Sequence, residues 1–288
     1  MPAPPSTNAS DLEATNASNG IKQISEPATI TLLLVALAFC GGYMDAVSYL
    51  GLGRVFTANM TGNTVLLGIA IAGLHAARVL GSLVALLGYC AGVAIGTAIL
   101  VSPRAGPPDA FEAGNLDPRD PGAGEPSRAW RTLACQTLII LLLMILWMAA
   151  PRSAISGSMQ LGLITLSAIA MGMQTESARC ISIGGVSTTF VTGTLSDLSA
   201  AAIVRALRAS PVPLSLSVSL SHRRDRGGGA ALGWAVLLTI WAAYLAGGAV
   251  GAFAVNRWTA RALLAPLCLI ALASPAAFLF TPPTTPTP

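Results

Sequence analysis

The residues with most chemical potential in this sequence are polar side chains that interrupt a very apolar chain at two places. The first place is Arg54 to Leu66 (RVFTANMTGNTVL), preceded by Asp45, and the second is Ser187 to Leu198 (STTFVTGTLSDL). Carboxylate, amide and hydroxyl groups inside a membrane bind a proton, a cation or a polar solute. Asp45 also has a second interpretation, in which its carboxylate satisfies backbone N–H groups at a helix break.

The first polar stretch has the pattern of a helix that breaks and restarts. A break is indicated by Gly51-Leu52-Gly53, and a restart by Thr61-Gly62-Asn63. Asn59 or Thr61 is expected to cap the restart through its side-chain oxygen. The free N–H groups and the positive dipole end of such a helix favour a negatively charged group. The candidate substrate- or ion-binding residues of this half are Asp45, Asn59, Thr61 and Asn63.

Similar polar residues recur in the second half of the chain. The motif Gly172-Met173-Gln174-Thr175-Glu176 resembles Gly42-Tyr43-Met44-Asp45-Ala46, and Thr192-Gly193-Thr194 resembles the Thr-Gly step of the first half. The candidate binding residues of this half are Gln174, Glu176, Thr192 and Thr194. Glu176 precedes Arg179 by three positions, so an intrahelical ion pair is the simpler interpretation of that carboxylate.

The elements that must position these residues are transmembrane helices. The 288 residues are 53% hydrophobic and only 10% charged, whereas soluble domains average about 25% charged residues. Windows of about 18 or more apolar residues, long enough to cross a bilayer, recur along the chain. The predicted spans are Thr29–Leu52, Val79–Val101, Trp130–Ala150, Gln160–Ala178, Ala230–Val255 and Leu263–Phe280. The segments Asn63–Leu74 and Thr192–Leu207 are shorter and ambiguous.

A third landmark indicates that the membrane unit is duplicated. Tyr89 to Gly96 and Tyr244 to Gly251 share the pattern Y-x-A-G-x-A-x-G, in the same order relative to the Gly-Met and Thr-Gly motifs. Small residues four apart allow two membrane helices to approach closely, so these glycines are assigned to helix packing between the halves. The assigned residues are Gly92, Gly96, Gly247 and Gly251.

The expected fold is therefore an all-α integral membrane bundle of about six full spans plus two short or broken helices, built from two internal repeats. Residues 1–28 are predicted to be a disordered N-terminal tail and 281–288 a C-terminal tail. The first repeat is 29–150, with a flexible linker at 102–128. The second repeat is 151–280, with a flexible linker at 209–229, where Pro, Ser and Gly are frequent.

The distribution of basic residues favours an odd number of spans in each repeat. If the Thr-Gly segments cross the membrane, the 16 basic residues divide eight to eight between the two sides. If these segments only dip into the membrane, eleven lie inside and five outside, as the positive-inside rule prefers. Six spans then place both termini in the cytoplasm and invert the second repeat relative to the first.

Several function classes lack support in the sequence. No HExxH, GxSxG, CxxC or nucleotide-binding pattern occurs, so we expect no enzyme activity, catalytic residue, metal site or cofactor. The basic residues form no dense cluster, so nucleic-acid binding is not expected. The expected surroundings are the lipid bilayer and a small polar or anionic solute, and a homo-oligomer is compatible with both.

Four segments carry a resemblance to a known family. GGYMDAVSYL at 41–50, FTANMTGNTVLLG at 56–68, MGMQTESAR at 171–179 and STTFVTGTL at 187–195 resemble the YoaK-like family of bacterial multi-pass membrane proteins, a domain of unknown function (DUF1275). The resemblance extends over roughly Thr29 to Phe280. It implies a location in the inner (plasma) membrane and supplies no substrate.

Two functional hypotheses follow from these patterns. The duplicated, interrupted segments and buried polar residues are typical of a secondary transporter or permease for a small polar or anionic solute. The alternative is a structural or regulatory membrane component without transport activity. A measured solute flux would distinguish the two, because fold analogy alone is a weak argument for function.

Overall fold

The computed structural model describes residues 9–100, 129–150, 157–181, 199 and 234–279, with side chains from residue 28 onward. Every secondary-structure element in this part of the chain is helical, as predicted. A short 3₁₀ helix, Thr259–Leu263, joins the last two α-helices. The α-helices are α1 (Ala9–Gly51), α2 (Met60–Ala72), α3 (Ala76–Leu100), α4 (Ala129–Ala149), α5 (Gly157–Ile181), α6 (Trp234–Trp258) and α7 (Leu264–Leu279).

Each of the six predicted spans coincides with one of the long helices. Four stretches are long and apolar enough to cross a membrane, namely Ala28–Gly51, Ala76–Leu100, Ala129–Ala149 and Ala235–Ala277, the last of which contains α6 and α7. Helix α1 begins at Ala9, inside the segment predicted to be a disordered tail. Between Pro5 and Pro27 that segment has no proline, so residues 9–26 contain no helix-breaking ring.

Helix α5 differs from these stretches because it is central in the bundle. It packs against α1, α3 and α4, and it buries polar residues such as Ser167, Gln174 and Thr175. A helix enclosed by other helices has little contact with lipid, so it does not need a uniformly apolar surface. This explains why a 25-residue helix at the predicted position has a weaker apolar signal than its neighbours.

Helix α2 is too short to cross a bilayer. Its 13 residues extend for about 20 Å at 1.5 Å per residue, against a hydrocarbon core of about 30 Å. By length it is a short apolar helix and not a complete span. The first of the two ambiguous sequence segments is thus a short helix, and the second, 192–207, lies outside the described residues apart from position 199.

Helices α1 and α5 run antiparallel. The side-chain amide of Gln160, near the start of α5, donates to the carbonyl of Leu52, just beyond the end of α1. The amide of Gln174, late in α5, donates to the carbonyl of Leu37, in the middle of α1. Later residues of α5 therefore contact earlier residues of α1.

The two Y-x-A-G helices each run parallel to a central helix of the other half. Gly88 and Gly96 of α3 lie against Thr165 and Met173 of α5. Gly247 and Gly251 of α6 lie in the same way against Phe39 and Tyr43 of α1. All four glycines assigned to helix packing lie at these two contacts, which are the most extensive in the bundle.

Helices α4 and α7 complete the arrangement. Gln136 of α4 hydrogen-bonds to Gln174, and Trp147, eleven positions later, packs against Gly51 at the end of α1. Helix α4 therefore runs in the same direction as α1. In α7, Ser274 donates to the carbonyl of Trp130 at the start of α4, so α7 runs the opposite way. Helices α1, α4 and α6 point one way, and α3, α5 and α7 point the other.

Two glycines of α5 provide a direct test of this packing. A methyl group at Gly172 would collide with the backbone carbonyl of Tyr89, whereas one at Gly162 would meet nothing within 4 Å. We expect Gly172→Ala to destabilise the protein by about 1–3 kcal/mol or more, because the opposing atoms are backbone. Gly162→Ala should be neutral or stabilising by up to about 1 kcal/mol. Thermal unfolding of the two detergent-purified variants checks this, and equal melting temperatures would contradict the packing described.

Candidate functional site

The carboxylate of Asp45 is at the centre of the candidate site. The chain between α1 and α2, residues 52–59, folds back along α1 and is called the elbow below. Asp45 Oδ1 accepts hydrogen bonds from the backbone N–H groups of Thr57 at 2.8 Å, Ala58 at 2.7 Å and Asn59 at 3.3 Å. Asp45 Oδ2 accepts a hydrogen bond from the hydroxyl of Tyr244 on α6. The residue is only 4% exposed, so the carboxylate is shielded and solvated by protein donors.

The position of Asp45 sets the depth of the elbow. It lies six residues before Gly51, where α1 ends, which corresponds to about 9 Å along the helix axis. The elbow must return over that distance for its N–H groups to reach the carboxylate. Gly53 makes the reversal with φ +120°, a backbone region that glycine adopts without strain. Helix α2 therefore begins inside the bundle and not at its end.

The chain's own side chains satisfy N–H groups at the start of α2. Asn59 caps the helix, since its side-chain oxygen accepts from the N–H of Gly62 at 3.0 Å. Thr61, the other proposed cap, is exposed. The preceding N–H groups are bound by Asp45. The negatively charged group that the sequence leads us to expect at this helix start is thus the chain's own carboxylate.

Asn63 holds the elbow from the other side. Its side-chain oxygen accepts from the N–H of Phe56 at 2.9 Å, and its side-chain nitrogen donates to the carbonyl of Phe56 at 2.6 Å. The side chain is fully buried, so it acts as a substitute for a neighbouring peptide group. The ring of Phe56 stacks on that of Tyr49 with centroids 5.0 Å apart, which ties the elbow to α1 a second time.

Hydroxyl groups connect the elbow to α5. The hydroxyl of Ser167 donates to the Thr57 hydroxyl at 3.1 Å, and the Thr57 hydroxyl lies 3.4 Å from that of Ser48. All three side chains are completely buried. The elbow therefore makes polar contacts with α1, α5 and, through Asp45, α6.

A second cluster of polar side chains lies nearer the N-terminal end of α1, between α1, α4 and α5. Gln174 donates to the carbonyl of Leu37, and Gln136 donates to the side-chain oxygen of Gln174, both at 2.9 Å. A side-chain carbon at Gly41 would contact both the Tyr244 ring, at 3.4 Å, and the Gln174 nitrogen, at 3.9 Å. Gly41 therefore lies between the carboxylate site and the buried amides, within contact distance of both.

Together these residues form two groups of polar side chains along α1, all buried except the half-buried Tyr244, which are called the polar path below. It runs from the elbow to the fourth residue of α4. Its members come from α1, the elbow, α4, α5 and α6. They are Ser167, Thr57, Ser48, Asp45, Tyr244, Gln174, Gln136 and Thr132.

The remaining candidates from the sequence lie away from this path or outside the described residues. Glu176 pairs with Arg179 on α5 at 3.0 Å, and the arginine side chain is 47% exposed. Glu176 also lies 3.4 Å from the hydroxyl of Thr97 on α3. Thr192 and Thr194 fall among the residues that are not described.

Sequence reasoning missed several members of the polar path, of which Gln136 is the most informative. It is an amide in the middle of the apolar run AWRTLACQTLIILLLMILWM, and that isolation is the signal that could have found it. In the sequence, Tyr244 is the first residue of the Y-x-A-G packing motif, and the motif indicates no polar role for it. Its contact with Asp45 joins residues 199 positions apart, which local patterns do not indicate.

The two motif tyrosines make matching contacts. Tyr244 donates to Asp45, the fourth residue of the motif that begins at Gly42. Tyr89 donates to the hydroxyl of Thr175 at 3.0 Å, and Thr175 is the fourth residue of the motif that begins at Gly172. The same pair of helix positions is therefore bridged twice, once with a carboxylate and once with a hydroxyl.

Comparison with known proteins agrees with the resemblance seen in the sequence. The model of a family described as a protein of unknown function (DUF1275) matches residues 33–275. The chain belongs to this family. The UPF0700 transmembrane protein YoaK of Bacillus subtilis (strain 168) is 36% identical over 170 residues, which are 58% of this chain and 64% of that protein. The alignment thus spans less than two thirds of the relative's length, and no solved structure matches.

Substitution of the two matched tyrosines measures how much the Asp45 contact contributes to the free energy of unfolding. Tyr244→Phe removes a hydrogen bond to a charged acceptor and should cost about 1.5–3 kcal/mol, whereas Tyr89→Phe removes one between neutral groups and should cost about 1 kcal/mol. Thermal or denaturant unfolding of the two purified variants gives the comparison. An equal or larger loss for Tyr89→Phe would contradict the assignment of the stronger hydrogen bond to the Tyr244–Asp45 pair.

Proposed function

We propose that this membrane protein is a secondary transporter or permease of the plasma membrane for a small polar or anionic solute. The observation that carries the proposal is the polar path. Polar and charged side chains in a bilayer interior are costly, and in known membrane proteins they are often associated with solute or proton pathways. A bundle that needed only to be stable would be served as well by leucine and alanine at most of these positions.

The arrangement of the helices supports an inverted repeat, which is common in secondary transporters. Helices α1 and α5 carry the same motif and run antiparallel. The pairs α1–α6 and α3–α5 use equivalent glycines, and Tyr244 and Tyr89 bridge equivalent positions. A half-turn about an axis in the membrane plane would exchange these contacts. In secondary transporters with such symmetry, the solute site lies near the middle of the bilayer.

The helix directions also favour six spans with both ends on the same side. Helices α1 and α3 are antiparallel, so the connection between them, which contains α2, leaves and returns on one side of the bundle. Helix α7 runs opposite to α1 and returns the chain to the side on which α1 begins. With eleven of the 16 basic residues on that side, the positive-inside rule assigns it to the cytoplasm.

One observation favours the alternative, a structural or regulatory component. Three of the four described hydrogen bonds to the Asp45 carboxylate have a structural explanation, because they satisfy elbow N–H groups. A protein of this kind would retain the elbow without moving a solute. The two functions differ in flux, which is the quantity to measure.

Flux into proteoliposomes tests transport directly. The full chain, reconstituted in vesicles, should take up at least one member of a panel of labelled amines, polyols, amino acids and carboxylates faster than protein-free vesicles. Asp45→Asn should keep the elbow contacts, since an amide oxygen still accepts them, but should lower uptake because the charge is lost. No uptake of any panel member by folded protein would refute the transport proposal. Undiminished uptake by Asp45→Asn would leave Asp45 with a structural role only.

Single cysteines in a cysteine-free background test the span number. Arg78→Cys lies just inside α3 and Ser127→Cys two residues before α4. Six spans predict that a membrane-impermeant maleimide added to intact cells labels Arg78→Cys and leaves Ser127→Cys unlabelled until the membrane is opened. Eight spans predict the reverse, because the Thr-Gly segment then carries the chain back to the cytoplasm before residue 78 and α3 carries it out again before residue 127. External labelling of Ser127→Cys but not of Arg78→Cys would therefore contradict the arrangement proposed here.

A further inference from the structure

The two buried amides, Gln174 and Gln136, form a hydrogen-bonded chain. The chain is anchored at Leu37, and its last acceptor has no partner within the described ranges. The carbonyl of Leu37 can accept but not donate a hydrogen bond, so the nitrogen of Gln174 faces it. The oxygen of Gln174 then faces Gln136 and requires the nitrogen of that residue. The remaining atom, Gln136 Oε1, is an acceptor that has no hydrogen-bond partner among the described residues.

A second polar atom on the same face of α4 is also without a partner in the described part of the chain. It is the hydroxyl oxygen of Thr132, four positions before Gln136 and therefore one helical turn away. Both side chains are completely buried. Unpaired buried polar atoms are rare in folded proteins because each loses its hydrogen bonds to water without replacement. Two on one helical turn indicate a place where a bound molecule supplies the missing donors.

The charges of the interior restrict the kind of molecule. Asp45 is the only acidic or basic side chain that is buried from residue 28 onward in the described ranges. Every arginine in those ranges is exposed to the surroundings of the bundle. An anion on the polar path would meet a negative charge without a compensating cation, whereas a cation or a neutral donor would not.

We propose that Gln136 and Thr132 are the recognition end of the solute site, and that they bind the N–H or O–H donors of a small neutral or cationic solute. This inference rests on the proposed transport function and narrows its solute class to amines and polyols. The amide oxygen accepts one donor, and the hydroxyl accepts another one turn away. Because both atoms are shielded in the described conformation, the solute reaches them when α4 and α5 separate during the transport cycle.

The binding test uses purified full-length protein and three defined probes. Methylammonium chloride is a cationic N–H donor, erythritol is a neutral O–H donor, and sodium acetate is an anion without donors. We expect methylammonium or erythritol, but not acetate, to raise the melting temperature saturably, since a ligand stabilises the state that binds it. The probe that acts identifies whether the solute class is amine or polyol.

Matched variants of α4 assign the effect to the two residues. Gln136→Met and Thr132→Val should abolish the probe-dependent shift. Thr137→Val is the control, because the Thr137 hydroxyl already donates to the carbonyl of Leu133 within the helix, and it should retain the shift. Without probe, Thr132→Val should melt at the same or a higher temperature than the original protein, since it removes an unsatisfied buried group. Gln136→Met should melt at a somewhat lower temperature, because it also removes the donor to the side-chain oxygen of Gln174. If Gln136 and Thr132 contribute only to stability, their variants should keep the probe-dependent rise in melting temperature.

The outcomes separate this inference from the transport proposal. Uptake at low solute concentration should fall by about tenfold in Gln136→Met, which corresponds to the loss of one strong hydrogen bond. Wild-type uptake that persists unchanged in Gln136→Met and Thr132→Val overturns the site and leaves transport intact. A shift by acetate alone, by no probe, or equally in all variants also overturns the site. Absence of all uptake refutes transport, whatever the probes show.

Discussion

The described fold depends on one carboxylate that replaces the missing backbone partners of the elbow. In a bilayer, N–H groups that are not in a helix must find acceptors inside the protein. The N–H groups of Thr57, Ala58 and Asn59 are consecutive, and a single oxygen of Asp45 accepts all three. The dependence is mutual, because a buried carboxylate is itself costly unless several donors surround it. Neither the elbow nor the charge would be stable at this depth without the other.

Close helix packing makes this arrangement possible. Gly42 and Gly247 allow the backbones of α1 and α6 to come into direct contact. Tyr244, three positions before Gly247, is thereby brought to the second oxygen of Asp45. The Y-x-A-G motif therefore does more than bring two helices together, since it also sets the position of a hydroxyl group. In α3 the same spacing brings Tyr89 to Thr175.

The parts that sequence could predict are those that depend on neighbouring residues. Apolar windows located the long helices, the glycines near residue 52 indicated the break, and Asn59 had the residue type and spacing of a helix cap. The partners of Asp45 on α6 could not be predicted, because they depend on how distant helices pack. Gln136 was overlooked for a different reason: a window average reports the apolar majority and hides one amide within it.

The two matched tyrosine contacts differ in one respect that bears on the proposed transport cycle. At equivalent motif positions, α1 has the carboxylate of Asp45 and α5 has the hydroxyl of Thr175. A carrier with two identical halves would have inward-open and outward-open states of equal free energy. A charge at only one of the two positions removes that equality, because each state surrounds Asp45 differently. In the proposed cycle, the difference between aspartate and threonine at these two positions would make one of the two states lower in free energy than the other.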